Sequence, residues 1–318
     1  MLAIAGFLAC ATYAASPGSP FQPVLPRGAE PSGPLTALAS ALGLDRLAGS
    51  WLIAAGVVAV GLAVAGFLSV LRETWRGTVS LRTVVVLAVA ANVVVVALVP
   101  LLFSRDVYSY AFYGRIEAVY GGNPYVDTPV EFPGDDLWAL LGPKWVDTPA
   151  VYGPAFTTVS SGIARAFDDP AHQVAAYRWL AGLASLATLT VIALTVTRLR
   201  PRRAAFAVAA FGLNPVVLFH AVASGHNDLL VALAVAAGFL LLMRTRTHAA
   251  VALLAVGALV KAAAVLPLVL VIVWCVARAP AGGRRRAALT HAAVAIGIGL
   301  ALSVPYLQTE DPTLGMLE

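Results

Sequence analysis

One short stretch, residues 104–125, brings together side chains that could bind an anion and move a proton. It directly follows the apolar run 81–103, so Asp106 stands where a helix would leave the membrane. A charge in that position is costly unless it is solvated, paired or used. Arg105 and Arg115 could bind a phosphate, and Asp106 could accept a proton. An interfacial helix with an aromatic belt and an aspartate N-cap would explain the same residues, and both interpretations stand on this stretch alone.

A second polar stretch, residues 224–228, separates two apolar runs. His226 could hydrogen-bond a phosphate or, together with Asp228, help to hold a divalent ion. Asn227 or Asp228 could instead simply cap the helix that follows. No residues show the spacing of a metal-ligand cluster, so we predict no firm metal site or cofactor, and a divalent metal stays an open alternative.

Lys261 interrupts the apolar run 249–277, which has basic residues at both ends. A single crossing would put those basic residues on opposite sides of the membrane, whereas two half-helices folded as a hairpin would return the chain to the cytoplasm. Lys261 would then lie near the turn. An ammonium group inside a membrane calls for an anionic partner, and a snorkelling lysine is the alternative interpretation.

The composition identifies the class of protein. Of the 318 residues, 60% are hydrophobic and only 12% are charged, whereas a soluble domain carries about 25% charged residues. The net charge of +5 comes mostly from arginines between apolar runs, which argues against a nucleic-acid partner. Cys10 and Cys275 lie in apolar runs and are expected to be packing residues.

The apolar runs predict an all-α, polytopic bundle of transmembrane helices. A first helix is expected at 1–15 and a short amphipathic helix at 35–47. The predicted spans are 51–71, 81–103, 175–197, 204–221, 229–243 and 289–306, together with the interrupted run around Lys261.

Arginine clusters set the expected orientation. They lie at 72–82, 198–203, 244–246 and 278–286, and the positive-inside rule places all of them in the cytoplasm. Residues 104–173, 222–228 and 308–318 are then outside. The first of these is a long loop with helical pieces expected at 107–120, 135–141 and 155–167, and loops of that length are usually functional or disordered. The preference for arginine, alanine and valine suggests a bacterial genome, hence a bacterial plasma membrane.

Together these features predict glycosyl transfer from a lipid phosphate at the outer membrane face. Asp106 would be the general base for the acceptor hydroxyl. One outstanding carboxylate fits a single displacement with inversion better than a double displacement, which needs a nucleophile as well. The residues expected to hold the donor phosphate or lipid are Arg105, Arg115, His226 and Lys261. Those expected to bind the sugar or the acceptor are Tyr108, Tyr125, Trp138, Trp145, Tyr152, Asn227 and Asp228.

The order of five motifs resembles a known family. The motifs are Ser104-Arg105-Asp106-Val107-Tyr108-Ser109-Tyr110, Gly122-Asn123-Pro124-Tyr125, Tyr152-Gly153-Pro154, Asn214-Pro215 and His226-Asn227-Asp228. They are similar to those of actinobacterial polyprenol-phosphate-mannose-dependent α-1,6-mannosyltransferases, which are membrane glycosyltransferases of GT-C type. The resemblance covers about 81–267. It implies transfer of mannose from polyprenyl-phosphate-mannose to a lipid-linked mannan or glycan on the outer face, with Asp106 as the catalytic aspartate.

The resemblance also bears on domain organisation. It implies one transmembrane glycosyltransferase domain, 1–318, with 104–173 as its outer catalytic loop. Members of the family usually continue with further spans, whereas this chain stops soon after Tyr306. We therefore expect either a partial chain or a short variant.

Three alternatives stay open. Glucose or arabinofuranose on a similar lipid carrier would need the same base and phosphate-binding groups. A transporter or flippase should show repeats with interrupted spans in matching halves, and only the run around Lys261 is interrupted. A non-catalytic scaffold is the third alternative. In every case membrane lipids are partners.

Overall fold

The computed structural model describes residues 1–29 and 32–307, and this part of the chain is helical, with no β-strand. The all-α prediction is therefore confirmed. The twelve α-helices of the described residues are α1 (Leu2–Ala14), α2 (Pro34–Ala41), α3 (Gly49–Arg76), α4 (Leu81–Leu98), α5 (Asp106–Ala118), α6 (Pro154–Ala166), α7 (Pro170–Leu199), α8 (Ala204–Gly212), α9 (Asp228–Met243), α10 (Thr247–Ala258), α11 (Val265–Arg278) and α12 (Arg284–Ser303).

The chain forms two compact units. The first consists of the described residues of Met1–Val107 together with Tyr177–His226. The second consists of Tyr108–Ala176 together with the described part of Asn227–Glu318. Each unit is discontinuous in sequence, so its helices come from separate parts of the chain.

Four helical segments of the described residues are long and apolar enough to cross a membrane, which makes this a multi-pass membrane protein. They are Gly49–Arg76, Leu81–Leu98, Pro170–Leu199 and Ala281–Tyr306. A fifth crossing results if Pro201–Gly212 and Val216–Val222 are counted as one bent span.

Prolines explain where two predicted spans differ from the structure. The span predicted at 81–103 ends at Leu98, because Pro100 favours extended backbone at Val99, which has φ −82° and ψ 138°. The span predicted at 204–221 is broken at Asn214 and Pro215. It continues as a π-helical segment, Val216–Val222, after a bend of 42°, because proline cannot complete the helical hydrogen bonds.

The span predicted at 229–243 is confirmed as α9, Asp228–Met243, whose 16 residues are fewer than the roughly 20 of a full crossing. Two other predicted helices are shorter than expected. The helix predicted at 135–141 is only a 3₁₀ turn, Trp138–Leu140, because Gly134 and Gly142 flank a segment too short to nucleate an α-helix. The helix predicted at 35–47 ends at Ala41 and is followed by a 3₁₀ turn, Leu44–Arg46.

The run around Lys261 contains two partial helices, as predicted. They are α10 and α11, which contact each other, and Lys261 lies in the break between them. Within the second unit, α10 also packs against α9 and α12. This packing seats the break among other helices, where interrupted backbone is tolerated in a membrane protein.

Small residues allow α1 to lie close against α3 in the first unit. A Cβ atom added at Gly6 would meet the backbone of Leu62 and Ala63, and one added at Gly66 would meet the backbone of Ala3. Glycines at such positions let helix backbones approach closely, which is how helices associate in lipid.

This packing predicts that Gly6→Ala destabilises the protein. The new methyl group must displace the α3 backbone, and overpacking of this kind costs about 1–3 kcal/mol. Thermal unfolding in detergent would show a lower melting temperature. Gly61→Ala is the matched control, because a Cβ atom there meets nothing within 4 Å. Equal melting temperatures for the two variants would contradict the observed seating of α1 on α3.

Candidate functional site

Asp106 and His226 meet in the first unit. Asp106 is the first residue of α5, and His226 lies in the turn after the π-helical segment. His226 Nδ1 is 3.7 Å from Asp106 Oδ2, with the two side chains 10% and 30% exposed respectively. The distance exceeds that of a hydrogen bond, so the pair is an electrostatic contact in which the carboxylate keeps an accessible side.

A serine hydroxyl satisfies the first amide of α5. The backbone N–H of Asp106 donates to Ser104 Oγ at 3.0 Å. The Asp106 carboxylate lies near His226. This contact is one that helix capping alone does not account for, and the N-cap interpretation of Asp106 stays a prediction.

Arg178 holds the segments that carry this pair. Its Nε donates to the carbonyl oxygen of Ala223 at 3.1 Å, and its Nη2 donates to those of Val95, at 2.9 Å, and Val99. The last carbonyls of α4 have no partner within the helix and carry partial negative charge. A single guanidinium group therefore joins the end of α4 to the turn that leads to His226.

A second hydrogen bond fastens the same turn. The fully buried Ser224 Oγ donates to the carbonyl oxygen of Leu102 at 2.7 Å. Gly225 follows with φ +69°, a left-handed conformation that glycine adopts without strain. Ser224 and Arg178 thus tie the turn before His226 to the segment before Asp106.

Sequence reasoning overlooked Arg178, although a signal was present. It is the one charged residue in the span predicted at 175–197. A charge in an apolar span usually marks a paired or functional group. The roles of Ser224 and of the hydrogen-bonded carbonyls had no comparable signal, because they depend on contacts between segments far apart in sequence.

His226 packs against the ring of His220. The rings of His220 and His226 have centroids 4.9 Å apart, and Phe103 packs edge-on against His220 at 5.7 Å. The imidazole of His226 is therefore held on one side by another ring, while its Nδ1 faces the carboxylate of Asp106.

In the second unit, Lys261 pairs with Asp228. Lys261 Nζ donates to both carboxylate oxygens, at 2.8 and 2.9 Å, so the anionic partner expected for Lys261 is present. Asp228 is the first residue of α9, where a negative charge is favourable. The side chains of Lys261 and Asp228 are 34% and 53% exposed, which leaves the pair accessible to a ligand.

Asn227 has an unusual environment. It occupies the N-cap position of α9, but its side chain makes no capping hydrogen bond. The residue is only 2% exposed, and neither atom of its side-chain amide has a hydrogen-bond partner among the described residues. Leaving such a group unsatisfied costs about 1–3 kcal/mol. Capping therefore does not explain this residue.

Arg115 is already engaged within the second unit. Its Nε donates to Asp135 Oδ2 at 2.7 Å, and Tyr120 Oη donates to the same oxygen at 2.7 Å. Arg115 Nη1 also donates to the carbonyl oxygen of Asp168 at 3.2 Å. These contacts connect separate parts of the loop through Arg115. Phosphate binding by Arg115 stays a prediction.

The tyrosines predicted to bind sugar lie largely inside the protein. Tyr125 Oη donates to the carbonyl oxygen of Tyr152 at 2.7 Å, and both residues are buried. Tyr152 packs edge-on against Tyr110, at 4.8 Å between centroids. Tyr108 is also buried. These rings offer little exposed surface for stacking on a sugar.

The other predicted residues are more accessible. Trp138 and Trp145 are partly exposed, and Lys144 Nζ lies 4.9 Å from the centre of the Trp145 ring. Arg105 is half-buried directly before α5. Within residues 1–29 and 32–307, no three side chains of histidine, cysteine, aspartate or glutamate come together in a way that could hold a metal ion.

Comparison with known proteins identifies relatives. Residues 3–278 match the family described as alpha-(1->6)-mannopyranosyltransferase, N-terminal domain. The chain is 34% identical to alpha-(1->6)-mannopyranosyltransferase A of Mycobacterium tuberculosis over 189 residues, which are 57% of this chain and 36% of that protein. It is 32% identical to alpha-(1->6)-mannopyranosyltransferase A of Corynebacterium glutamicum over 185 residues, 55% of this chain and 36% of that protein.

The similarity is partial in length. The chain spans about a third of the length of these two relatives. It is also 29% identical to alpha-(1->6)-mannopyranosyltransferase B of C. glutamicum over 133 residues, 40% of this chain and 21% of that protein. No solved structure matches the chain.

The contacts of Arg178 predict that Arg178→Lys loosens the turn before His226. Lysine has a single ammonium group and cannot reproduce the fork that reaches three carbonyls. Hydrogen–deuterium exchange at the amides of Ala223, Gly225 and His226, which are hydrogen-bonded in the native turn, should become about tenfold faster, since net hydrogen bonds to charged groups contribute about 1.5–3 kcal/mol.

Arg198→Lys is the control for this experiment, because Arg198 is exposed in the last turn of the same helix. It should leave exchange in the turn unchanged. If Arg178→Lys also left the protection of these amides unchanged, Arg178 would not be what holds the turn.

Proposed function

The chain belongs to the alpha-(1->6)-mannopyranosyltransferase family, and from this premise we propose that it transfers mannose from a polyprenyl phosphate to a hydroxyl group of a lipid-linked mannan or glycan. The transfer inverts the anomeric carbon and takes place on the outer face of a bacterial plasma membrane. The observation that carries the proposal is the contact between Asp106 and His226. The resemblance of the motifs supports the choice of mannose and of a polyprenyl carrier.

Asp106 acts as the general base. The acceptor hydroxyl gives its proton to the carboxylate while its oxygen attacks the anomeric carbon, and the bond from that carbon to the phosphate oxygen breaks. The electron pair of the broken bond leaves with the polyprenyl phosphate. His226 touches the same carboxylate and holds it in place, leaving the accessible oxygen for the acceptor.

The surroundings of Asp106 favour a single displacement. The residue that contacts Asp106 is a histidine, which is not the nucleophile that a double displacement needs in addition to the base. Tyrosine is a poor alternative base, because burial raises the pKa of Tyr113 and of Tyr125 above the ordinary value for a phenol. These phenols stay protonated at neutral pH.

The second unit supplies groups suited to the phosphate and the sugar. Lys261 is accessible and can share its ammonium group between Asp228 and a donor phosphate. The buried amide of Asn227 has unused donors and an unused acceptor that a sugar hydroxyl would satisfy. Trp138 and Trp145 can stack on a sugar face. The arginine clusters support the orientation, since they belong in the cytoplasm and leave the polar stretches outside.

Asp106→Asn should abolish transfer while leaving donor binding nearly intact. The amide keeps the shape of the carboxylate but cannot accept the proton, and one positioned base contributes about 10²–10⁴-fold to the rate. The assay uses the purified chain in detergent with polyprenyl-phosphate-mannose and a short α-mannoside acceptor. Asp136→Asn is the control, since Asp136 is exposed in the outer loop. Wild-type turnover by Asp106→Asn would refute the proposed base.

Lys261→Ala should mainly weaken donor binding. Loss of a hydrogen bond from a charged group costs about 1.5–3 kcal/mol, which corresponds to an increase of about 10- to 100-fold in the KM for the donor. The measurement is KM and kcat for polyprenyl-phosphate-mannose. Lys144→Ala removes the other lysine of the chain, which lies over Trp145, and should leave the donor KM unchanged. An unaltered donor affinity in Lys261→Ala would exclude this lysine from phosphate binding.

A further inference from the structure

The first unit contains an apolar cavity of about 220 Å³. Its walls come from α1, α3, α4 and the chain from Leu213 to Phe219, and every lining residue is apolar. Three phenylalanines, Phe7, Phe67 and Phe219, alternate with small residues such as Ala63 and Ala91. A cavity of this chemistry takes hydrocarbon and offers nothing to a polar ligand.

The cavity is linked to the site of Asp106 and His226 through two neighbouring residues, Phe219 and His220. Phe219 lines it and stacks on Phe7, with ring centroids 5.5 Å apart. The next residue, His220, packs instead against His226 at 4.9 Å, and His226 contacts Asp106 at 3.7 Å. Phe219 and His220 belong to the π-helical segment, a rare geometry that occurs often at functional sites.

We propose that this cavity binds isoprene units of the donor lipid, close to its phosphate. The inference rests on the proposed function and adds to it the site of the lipid tail. An apolar cavity of about 150 Å³ accommodates one benzene ring, so 220 Å³ has room for about two five-carbon isoprene units.

The link from the cavity to Asp106 through Phe219, His220 and His226 favours a polyprenyl phosphate over a membrane phospholipid. In a polyprenyl phosphate the hydrocarbon is bonded directly to the phosphate oxygen. A diacyl lipid has a glycerol and two ester groups between phosphate and hydrocarbon, and those polar groups would have to lie against aromatic rings such as Phe103 and Phe219. Burying them there without hydrogen-bond partners is unfavourable.

Tail length provides the first test. Wild-type protein is assayed with mannosyl phosphates that carry either a long polyprenyl tail or a single isoprene unit. The expected result is a KM about tenfold lower for the long tail. Ala91→Phe fills the cavity and should raise the KM for the long-tailed donor by about tenfold, with no effect on the short one. Val86→Phe, on an exposed face of the same helix, is the control. The inference would be overturned if wild-type protein showed the same KM for both donors, or if Ala91→Phe and wild type had the same KM for the long-tailed donor.

Photo-crosslinking tests occupancy without relying on a variant that must fold. A polyprenyl phosphate with a diazirine in its second isoprene unit, and no sugar, is irradiated with the wild-type protein. Adducts are expected on the peptides of Phe7 and Phe219, and unlabelled polyprenyl phosphate should compete them away. A phosphatidylglycerol with a diazirine in its acyl chain is the comparison. Equal labelling by both lipids, or no adduct at the cavity, would overturn the inference.

The two experiments separate the cavity from the proposed reaction. Specific labelling without any mannose transfer would retain the lipid site and reject the proposed function. Mannose transfer without specific labelling or tail preference would retain the function and reject the lipid site.

Discussion

Arg178 places a positive charge in the apolar span of α7, and the position of the candidate base depends on how that charge is compensated. The guanidinium group binds backbone carbonyls of α4 and of the turn before His226. Inside a membrane, backbone carbonyls cannot accept hydrogen bonds from water, and a charged side chain is not hydrated. Each therefore stabilises the other. A charge that would be unfavourable in the membrane thus joins two chain segments, the end of α4 and the turn before His226. Asp106 and His226 come shortly after these segments in the sequence.

The break in the span predicted at 204–221 also affects both the packing and the candidate site. Pro215 ends α8, and the π-helical segment that follows exposes successive residues to different surroundings. Phe219 lines an apolar cavity, while His220 packs against His226. In a regular α-helix, neighbouring residues also point in different directions. A π-helical turn contains one more residue than an α-helical turn, so it changes which side chains face the cavity and which face the polar site. The interruption thus lets one short segment contribute both to a hydrocarbon surface and to a polar site.

The sequence was most informative where a charge interrupts an apolar run. Lys261 could be predicted to lie at a break and to need an anion, because few other structures tolerate a lysine there, and Asp228 is that anion. The same argument applies to Arg178, which was overlooked, and the backbone carbonyls that it binds carry no signal in the sequence. The ion pair between Arg115 and Asp135 could not be predicted from the sequence. It joins residues of an irregular loop without periodicity, so nothing in the spacing indicated which carboxylate Arg115 would meet.

The two aspartates of the polar stretches differ in how they are paired, and the difference bears on their proposed roles. Asp228 receives two short hydrogen bonds from an ammonium group, at 2.8 and 2.9 Å. Both oxygens of this carboxylate therefore contact the ammonium group. Asp106 has a histidine 3.7 Å away, too far for a hydrogen bond, and its side chain is 30% exposed. A base must be able to reach the hydroxyl whose proton it takes, whereas the partner of a lysine need not. The difference in pairing therefore supports the proposal that Asp106 is the base, while Asp228 is paired with Lys261.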